Sequence, residues 1–131
     1  MNGQNLSILR GNVVKKPEVT YAESGMAMAW LRIGINTYGG KDELTGQNLT
    51  ATTFLNIKLF DKLAERCEKY LEKGHLVGVI GKIREESWED KETKQKRFAT
   101  VIVANNNGVD FLTSKAQADK MKEKAVPVSA E

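Results

Sequence analysis

The nine residues Thr52–Phe60, TTFLNIKLF, predict a β-strand with two different faces. Side chains alternate across a strand, so one face carries Leu55, Ile57 and Leu59, which are typical of a protein core. The other face, where an ordinary antiparallel strand is polar, carries two rings and a cation. Its members are Phe54, Asn56, Lys58 and Phe60. Rings around a cation suit a partner with flat apolar units strung on negative charge, as in single-stranded nucleic acid.

The preceding apolar segment, Met28–Asn36 (MAWLRIGIN), repeats this arrangement. Aliphatic residues at every second position predict one buried face. The opposite face carries Trp30, Arg32, Gly34 and Asn36. For one strand alone, aromatics that pack under a loop or at a subunit interface are the better explanation. Two copies of the pattern favour a binding face.

Length and composition indicate one globular domain. The chain has 131 residues, of which 40% are hydrophobic and 28% charged, enough for a single buried core. We find no apolar run of about 18 residues and no secretory signal, so we expect a cytoplasmic protein with no membrane span. The net charge is only +3. Charge alone therefore does not predict a nucleic-acid partner.

Catalysis and metal binding find little support in the residue types. One cysteine, Cys67, and one histidine, His75, exclude an internal disulfide and argue against a His/Cys metal site. We find neither a nucleophilic triad nor a phosphate-binding glycine loop. The acidic run around residues 85–92 is better explained as a solvated hairpin limb than as a cation site. We therefore expect no catalytic residue, metal or cofactor.

Other segments complete a predicted all-β architecture. Asn5–Lys15 predicts a first strand, with Gly11 at a bend or bulge. Thr37–Ala51 contains three glycines and has no clear period. It predicts a long loop, either a flexible flap over the binding face or a disordered hairpin tip. Two more strands, a turn and a closing segment follow: Leu76–Arg84, Phe98–Val103, Asn105–Gly108 and Val109–Leu112.

One helix is predicted over Lys62–Lys73, with Asp61 as its cap and Gly74 ending it in a left-handed conformation. Its apolar stripe is Leu63, Cys67, Tyr70 and Leu71. Cys67 is therefore expected to be a core residue rather than a reactive thiol. His75 is expected on the surface or in a loop.

The polar segment Arg84–Arg97 carries Trp88 among acidic residues, where no core is available to it. Such a ring should bury itself against a partner, either a base or another subunit. From Thr113 onward small and charged residues dominate. They predict a disordered tail, with at most a marginal helix near Lys115–Lys124.

Five strands with a helix between the third and fourth, outward aromatics and a long arm resemble an OB-fold barrel. More narrowly, the chain is similar to bacterial-type single-stranded DNA-binding proteins over about Asn5–Leu112. Four stretches in order carry the resemblance: GNVVKKPEVTYAESG (Gly11–Gly25), LFDKLAE (Leu59–Glu65), YLEKG (Tyr70–Gly74) and GKIREESWED (Gly81–Asp90).

The resemblance implies a DNA-binding domain over residues 1–112 and a short tail over 113–131. It implies a nucleoid-associated homotetramer, or less often a dimer, that coats single strands without sequence preference in replication, recombination and repair. The family's stacking aromatics fall on Phe54, Phe60 and Trp88, and its backbone contacts on Lys62, Lys73 and Arg84. Tyr38 lies near a further family aromatic, whereas strand alternation nominates Trp30, Arg32 and Lys58.

Three features depart from the family pattern. Leu55 and Asn56 follow the first stacking aromatic in place of a polar or basic pair, which is expected to weaken binding. Asp61 replaces a usual glycine, and its capping role is expected to make this harmless. The sequence ends KAVPVSAE, without the acidic tip that recruits repair proteins, so we do not expect recruitment through such a tip.

The main alternative is an OB-fold that binds protein, such as a replication-restart or assembly factor. An enzyme built on this scaffold is a more distant alternative. A polynucleotide titration across salt concentrations separates the first two, since only the DNA binder shows a steep salt dependence.

Overall fold

A computed structural model describes residues 3–114 and 116–120. Within these residues the elements are β1 (Ser7–Lys15), β2 (Val19–Tyr21), β3 (Ala27–Lys41), β4 (Asn48–Phe60), α1 (Asp61–Tyr70), β5 (Leu76–Glu89) and β6 (Lys96–Phe111). The five predicted strands are present, and β2 is a short additional strand paired with β3. The OB-fold with one helix after the third long strand is confirmed.

The sheet closes into a barrel through β1. The strand order is β1-β5-β6-β4-β3-β2, and β1 pairs with β3 as well as with β5. Gly11 lies where these two pairings meet, and a Cβ there would be 2.6 Å from the carbonyl oxygen of Gly34. Gly11 thus permits a close approach of two strands. The register irregularity of β1 lies further on, between Val13 and Lys15.

The aliphatic faces predicted for β3 and β4 form the core. Leu31, Ile33, Ile57 and Leu59 are fully buried, and Leu55 and Ile35 are partly buried at its edge. The helix covers one side of this core with Leu63, Ala64 and Cys67. Cys67 is therefore a core residue, as predicted.

The start of the helix differs from the prediction. Asp61 is the first residue of α1, the extended residue before it is Phe60, and no side chain caps the helix. A capping side chain must come from that extended position, which Phe60 occupies. Asp61 instead has a φ of 57°, in the left-handed region. The predicted capping role of Asp61 is wrong.

The end of the helix also differs. The helix stops at Tyr70, three residues before the predicted end, with Leu71 in an extended conformation. Tyr70 is 55% exposed and not in the core, because the early stop leaves it at the rim beside Phe111. Gly74 has the predicted positive φ, at 92°, but it lies in the turn that follows.

His75 is buried, contrary to the prediction of a surface or loop position. The turn after α1 folds the His75 imidazole back onto the backbone of the turn. There the imidazole Nδ1 accepts a hydrogen bond from the Glu72 N–H at 3.3 Å. A local turn contact therefore accounts for its burial.

The predicted long loop, Thr37–Ala51, is mostly sheet. Cross-strand pairing of β3 with β4 runs from Met28 opposite Phe60 to Lys41 opposite Asn48, which leaves a short turn. Backbone hydrogen bonds hold such an exposed hairpin together without an apolar face. This explains why the segment shows no period of hydrophobic residues. The segment is a β-hairpin arm, so its prediction as a loop is wrong.

The other hairpin was predicted more closely. Strands β5 and β6 pair out to Glu89 opposite Lys96 and form the expected long arm. The residues 105–108 do not reverse the chain, however. They form an irregularity within β6, opposite the step between Val79 and Gly81 of β5.

Residues 116–120 are helical, inside the segment predicted as a marginal helix. Position 115 and residues 121–131, with the rest of the predicted tail, lie outside the described residues. In the described ranges we find no helix of the length and apolarity required to span a bilayer.

Candidate nucleic-acid interface

The exposed face of the β3–β4 pair is a ladder of aromatic, basic and small residues. Residues directly opposite each other in an antiparallel pair share a face. The pairs on this ladder are Met28–Phe60, Trp30–Lys58, Arg32–Asn56, Gly34–Phe54, Asn36–Thr52 and Tyr38–Thr50. The predicted alternation of both strands is thus confirmed. From Phe60 to Phe54 the ladder runs about 20 Å, the rise of six strand residues.

Lys58 lies between two rings at one end of this ladder. Its Nζ is 5.4 Å from the ring centroid of Trp30 and 5.5 Å from that of Phe60. Both distances are within cation–π range. Arg84, from β5, also lies against Phe60, with its Cζ 5.6 Å from the ring centroid. The fold therefore brings together four of the predicted site residues from three strands.

One carboxylate joins the two cations of this cluster. Glu86 accepts a hydrogen bond from Lys58 Nζ at 2.8 Å and another from Arg84 Nη2 at 2.8 Å. These hydrogen bonds, that from Lys58 above all, hold the pKa of the Glu86 carboxyl below its ordinary value. Glu86 is therefore ionised at neutral pH and offsets part of the positive charge beside Phe60.

Phe54 provides a second exposed ring, 52% accessible. The ring rests against Gly34, where an added Cβ would lie 3.2 Å from Phe54 Cε1. Arg32 lies over the ring, with its Cζ 5.2 Å from the centroid, and donates a hydrogen bond to Asn56 Oδ1 at 3.0 Å. Since Asn56 is neutral, the charge of Arg32 is not offset by this contact.

Each hairpin arm carries one of the predicted site aromatics beyond the barrel. Trp88 is 51% exposed on β5, opposite Arg97 of β6. By strand alternation it faces the same way as Arg84 and Glu86. Tyr38 is exposed on the β3–β4 arm, on the same face of β3 as Trp30.

The two remaining predicted lysines lie in different places. Lys62, at the start of α1, shares a groove of about 350 Å³ with Phe60. Lys73 is exposed in the turn between α1 and β5. In the described part of the chain, no hydrogen bond or ion pair joins Lys73 to the ladder. The structure thus brings Lys62 to the site and leaves Lys73 apart.

A groove of about 330 Å³ continues the ladder past Trp30. Its lining includes Lys15 and Lys16 at the end of β1, together with Trp30 and Arg32. Lys16 is held by Glu72 at 2.9 Å. Lys15 has no ion pair with any described residue, and Glu18 is the carboxylate that lines the same groove.

Sequence reasoning missed Glu86 and Lys15 as residues of the site. Glu86 lies two residues from both Arg84 and Trp88, so strand spacing could have placed these three on one face. Phe98 is an exposed ring on the opposite face of the β5–β6 arm, opposite Ser87. Lys15 follows the register irregularity of β1, where alternation no longer predicts direction.

The chemistry of this surface is stacking and ion contact. Exposed rings offer flat faces to bases, and cations beside them can meet phosphates. Burial raises the pKa of the Cys67 thiol to about 11, so this thiol is protonated and unreactive at neutral pH. Among residues 3–114 and 116–120 we find no cluster of His, Cys, Asp and Glu that could hold a metal ion.

Comparison with known families gives the relationship. Residues 4–112 match the single-strand binding protein family. The chain belongs to this family. The matched range contains the barrel, both arms and the entire ladder. The resemblance seen in the sequence is confirmed, and binding of single-stranded DNA is the function that accompanies membership.

Solved structures of the family share the fold. A Plasmodium falciparum protein, solved in complex with single-stranded DNA, matches with a TM-score of 0.67 and 26% identity, covering 86% of this chain and 97% of that one. The wild-type Thermus aquaticus protein matches with a TM-score of 0.70 and 23% identity, covering 88% of this chain and 53% of that one. A deletion mutant of the Thermus aquaticus protein matches with a TM-score of 0.69 and 26% identity, covering 86% of this chain and 52% of that one. This chain spans about half the length of the Thermus chains.

Proposed function

We propose that this family member binds single-stranded DNA without sequence preference, through the β3–β4 ladder and the Trp88 arm, and protects it in replication, recombination and repair. The observation that carries the proposal is Lys58, held between the rings of Trp30 and Phe60 on an exposed strand face. This arrangement offers stacking surfaces and a cation within the length of a few nucleotides.

The rings supply the stacking part of the affinity in this mechanism. Bases stack on Phe54, Phe60 and Trp88, Trp30 adds a ring beside Lys58, and Tyr38 extends the series along its arm. Each stacked base contributes about 1–3 kcal/mol, and every base has a flat face. Binding therefore does not depend on sequence.

The cations around the rings contact the phosphate backbone. Arg32 and Lys15 lie on the β3 side of the ladder, and Arg84 and Lys62 lie near Phe60. Lys73 can contact only DNA that passes the end of α1. Each phosphate contact releases counterions. Affinity is therefore expected to fall as salt rises.

We further infer the setting in which the chain acts. The binding domain is residues 1–112, with residues 113–131 outside it, and it works in the cytoplasm at the nucleoid without catalysing a reaction. An exposed aliphatic pair, Ile8 opposite Ile80 on the β1–β5 face, supports subunit contact. We propose that the chain forms a homo-oligomer, with the tetramer as the favoured state. Light scattering over a range of concentrations tests this, and a monomer mass throughout would contradict it.

Titration with oligo(dT), followed by tryptophan emission, tests the binding function. Trp30 and Trp88 both lie on the proposed path, so stacking should quench their emission, and the apparent affinity should fall steeply with salt. A duplex of equal length serves as the control and should bind more weakly, because its bases are already stacked. Emission that is unchanged by excess oligo(dT) at low salt would contradict the proposal. Binding without salt dependence would favour the protein-binding alternative.

A further inference from the structure

Glu86 is the acidic member of an otherwise basic and aromatic cluster. Its carboxylate receives hydrogen bonds from Lys58 and Arg84, the two cations that flank the Phe60 ring. Lys58 is largely covered, with 16% of its side chain exposed, and Glu86 is 27% exposed. The carboxylate therefore lies at the surface, where a ligand can compete for the same donors.

A carboxylate and a phosphodiester make the same demand on these donors. Both present anionic oxygens that accept short, charge-assisted hydrogen bonds from lysine and arginine. A phosphate that approached Lys58 and Arg84 while Glu86 remained in place would meet a like charge at close range. The two anions therefore exclude each other at this position.

We propose that the Glu86 carboxylate occupies the place that a backbone phosphate of single-stranded DNA takes at Lys58 and Arg84, and so sets the affinity of the site. This inference rests on the proposed function and adds an affinity-determining residue to it. In the free protein Glu86 satisfies the two cations. On binding it is displaced, and the gain from the phosphate contacts is reduced by the loss of the internal ones.

The salt dependence of binding is the property that this exchange changes. A phosphate that replaces an internal carboxylate adds little new charge neutralisation, so few counterions are released. Without the carboxylate, the cluster presents one more unit of positive charge to the phosphate that Lys58 and Arg84 share. At about 0.7 per neutralised phosphate on a single strand, the slope of log affinity against log salt should steepen by up to about 0.7.

The test compares E86Q with E85Q by oligo(dT) titration. Glu85 is the neighbouring residue on the opposite face of β5, opposite Thr100, and it has no ion pair with any described residue. The two variants change net charge equally and differ only in the site. E86Q should bind more tightly than E85Q at low salt. This advantage should fall by up to about 2.6-fold between about 50 and about 200 mM salt, as the steeper slope requires.

Two results would overturn the inference. If E86Q matches E85Q in affinity and slope, Glu86 does not compete with phosphate. If E86Q binds more weakly than E85Q, Glu86 instead orients Lys58 and Arg84 for binding. In both cases the proposed function stands, because the parent still binds. If the parent protein does not bind oligo(dT), both the inference and the proposed function are wrong. Urea unfolding of each variant checks that the variant is folded.

Discussion

At the scale of single residues, Phe60 is the point on which the contacts of the site converge. Lys58 and Arg84 both lie against its ring, and Lys62 shares its groove. Its neighbour Asp61 has a left-handed backbone, which turns the chain from β4 into α1. Phe60 therefore serves the binding site, whereas its neighbour Asp61 serves the fold.

Replacing Phe60 with alanine should weaken oligo(dT) binding by about 1–3 kcal/mol, since one stacking surface is lost. Trp88→Ala should have a similar effect without touching the barrel. Phe98→Ala is the matched control, because that ring is also exposed but lies on the opposite face of the β5–β6 arm. Fluorescence anisotropy of labelled oligo(dT) at fixed salt measures the difference. Equal losses in Phe60→Ala and Phe98→Ala would contradict the assignment.

Asp61→Gly should stabilise the fold. A residue with a Cβ at a φ of 57° is strained, and glycine relieves that strain. No side-chain cap is lost, because Asp61 makes none. We expect the free energy of unfolding to rise by up to about 1 kcal/mol. Asp61→Ala, which removes the same charge but keeps the Cβ, should lower it. Urea unfolding measures both, and equal stabilities would refute the strain.

At the scale of elements, α1 covers the core with Cys67. The pKa of its buried thiol is raised from 9.0 to about 11. Well below pH 9 the thiol is protonated in both folded and unfolded chains. Between about pH 9 and about pH 11 the unfolded chain releases the proton and the folded one retains it, so folding loses stability as pH rises.

Cys67→Ala removes this titration and isolates its effect. The parent should be more stable than Cys67→Ala at pH 8, because the side chain fills the core. That advantage should shrink between about pH 9 and about pH 11. Urea midpoints of the parent and of Cys67→Ala across this range measure the difference in stability. Other groups that titrate in this range are common to both proteins, so their effects cancel in the difference. A constant difference would show that burial does not shift the thiol.

At the scale of the whole molecule, closure of the barrel depends on the contact of β1 with β3. Gly11→Ala should destabilise the fold by about 1–3 kcal/mol, because its Cβ would meet the Gly34 carbonyl oxygen. Gly3→Ala is the control, since an added Cβ there has open space around it. Urea unfolding compares the two. Similar midpoints for both variants would mean that the strands can move apart at no cost.

Much of the fold and of the ladder follows from local patterns. Alternation along Met28–Asn36 and Thr52–Phe60 predicted both the core and the exposed rings, because side-chain direction in a strand is set by the backbone of that strand. The Thr37–Ala51 hairpin was missed for the same reason. It buries no face, and its pairing is held by backbone hydrogen bonds that leave no side-chain pattern.

The sequence by itself determined which side chains of Met28–Asn36 and Thr52–Phe60 are buried, which rings these two segments expose, and the family. Only the tertiary structure decided which residues from distant strands meet. Glu86 reaches Lys58 across 28 positions of the chain, and Gly11 meets Gly34 where the barrel closes. Such contacts depend on strand register and closure, which are set by the packing of the whole barrel rather than by any one segment.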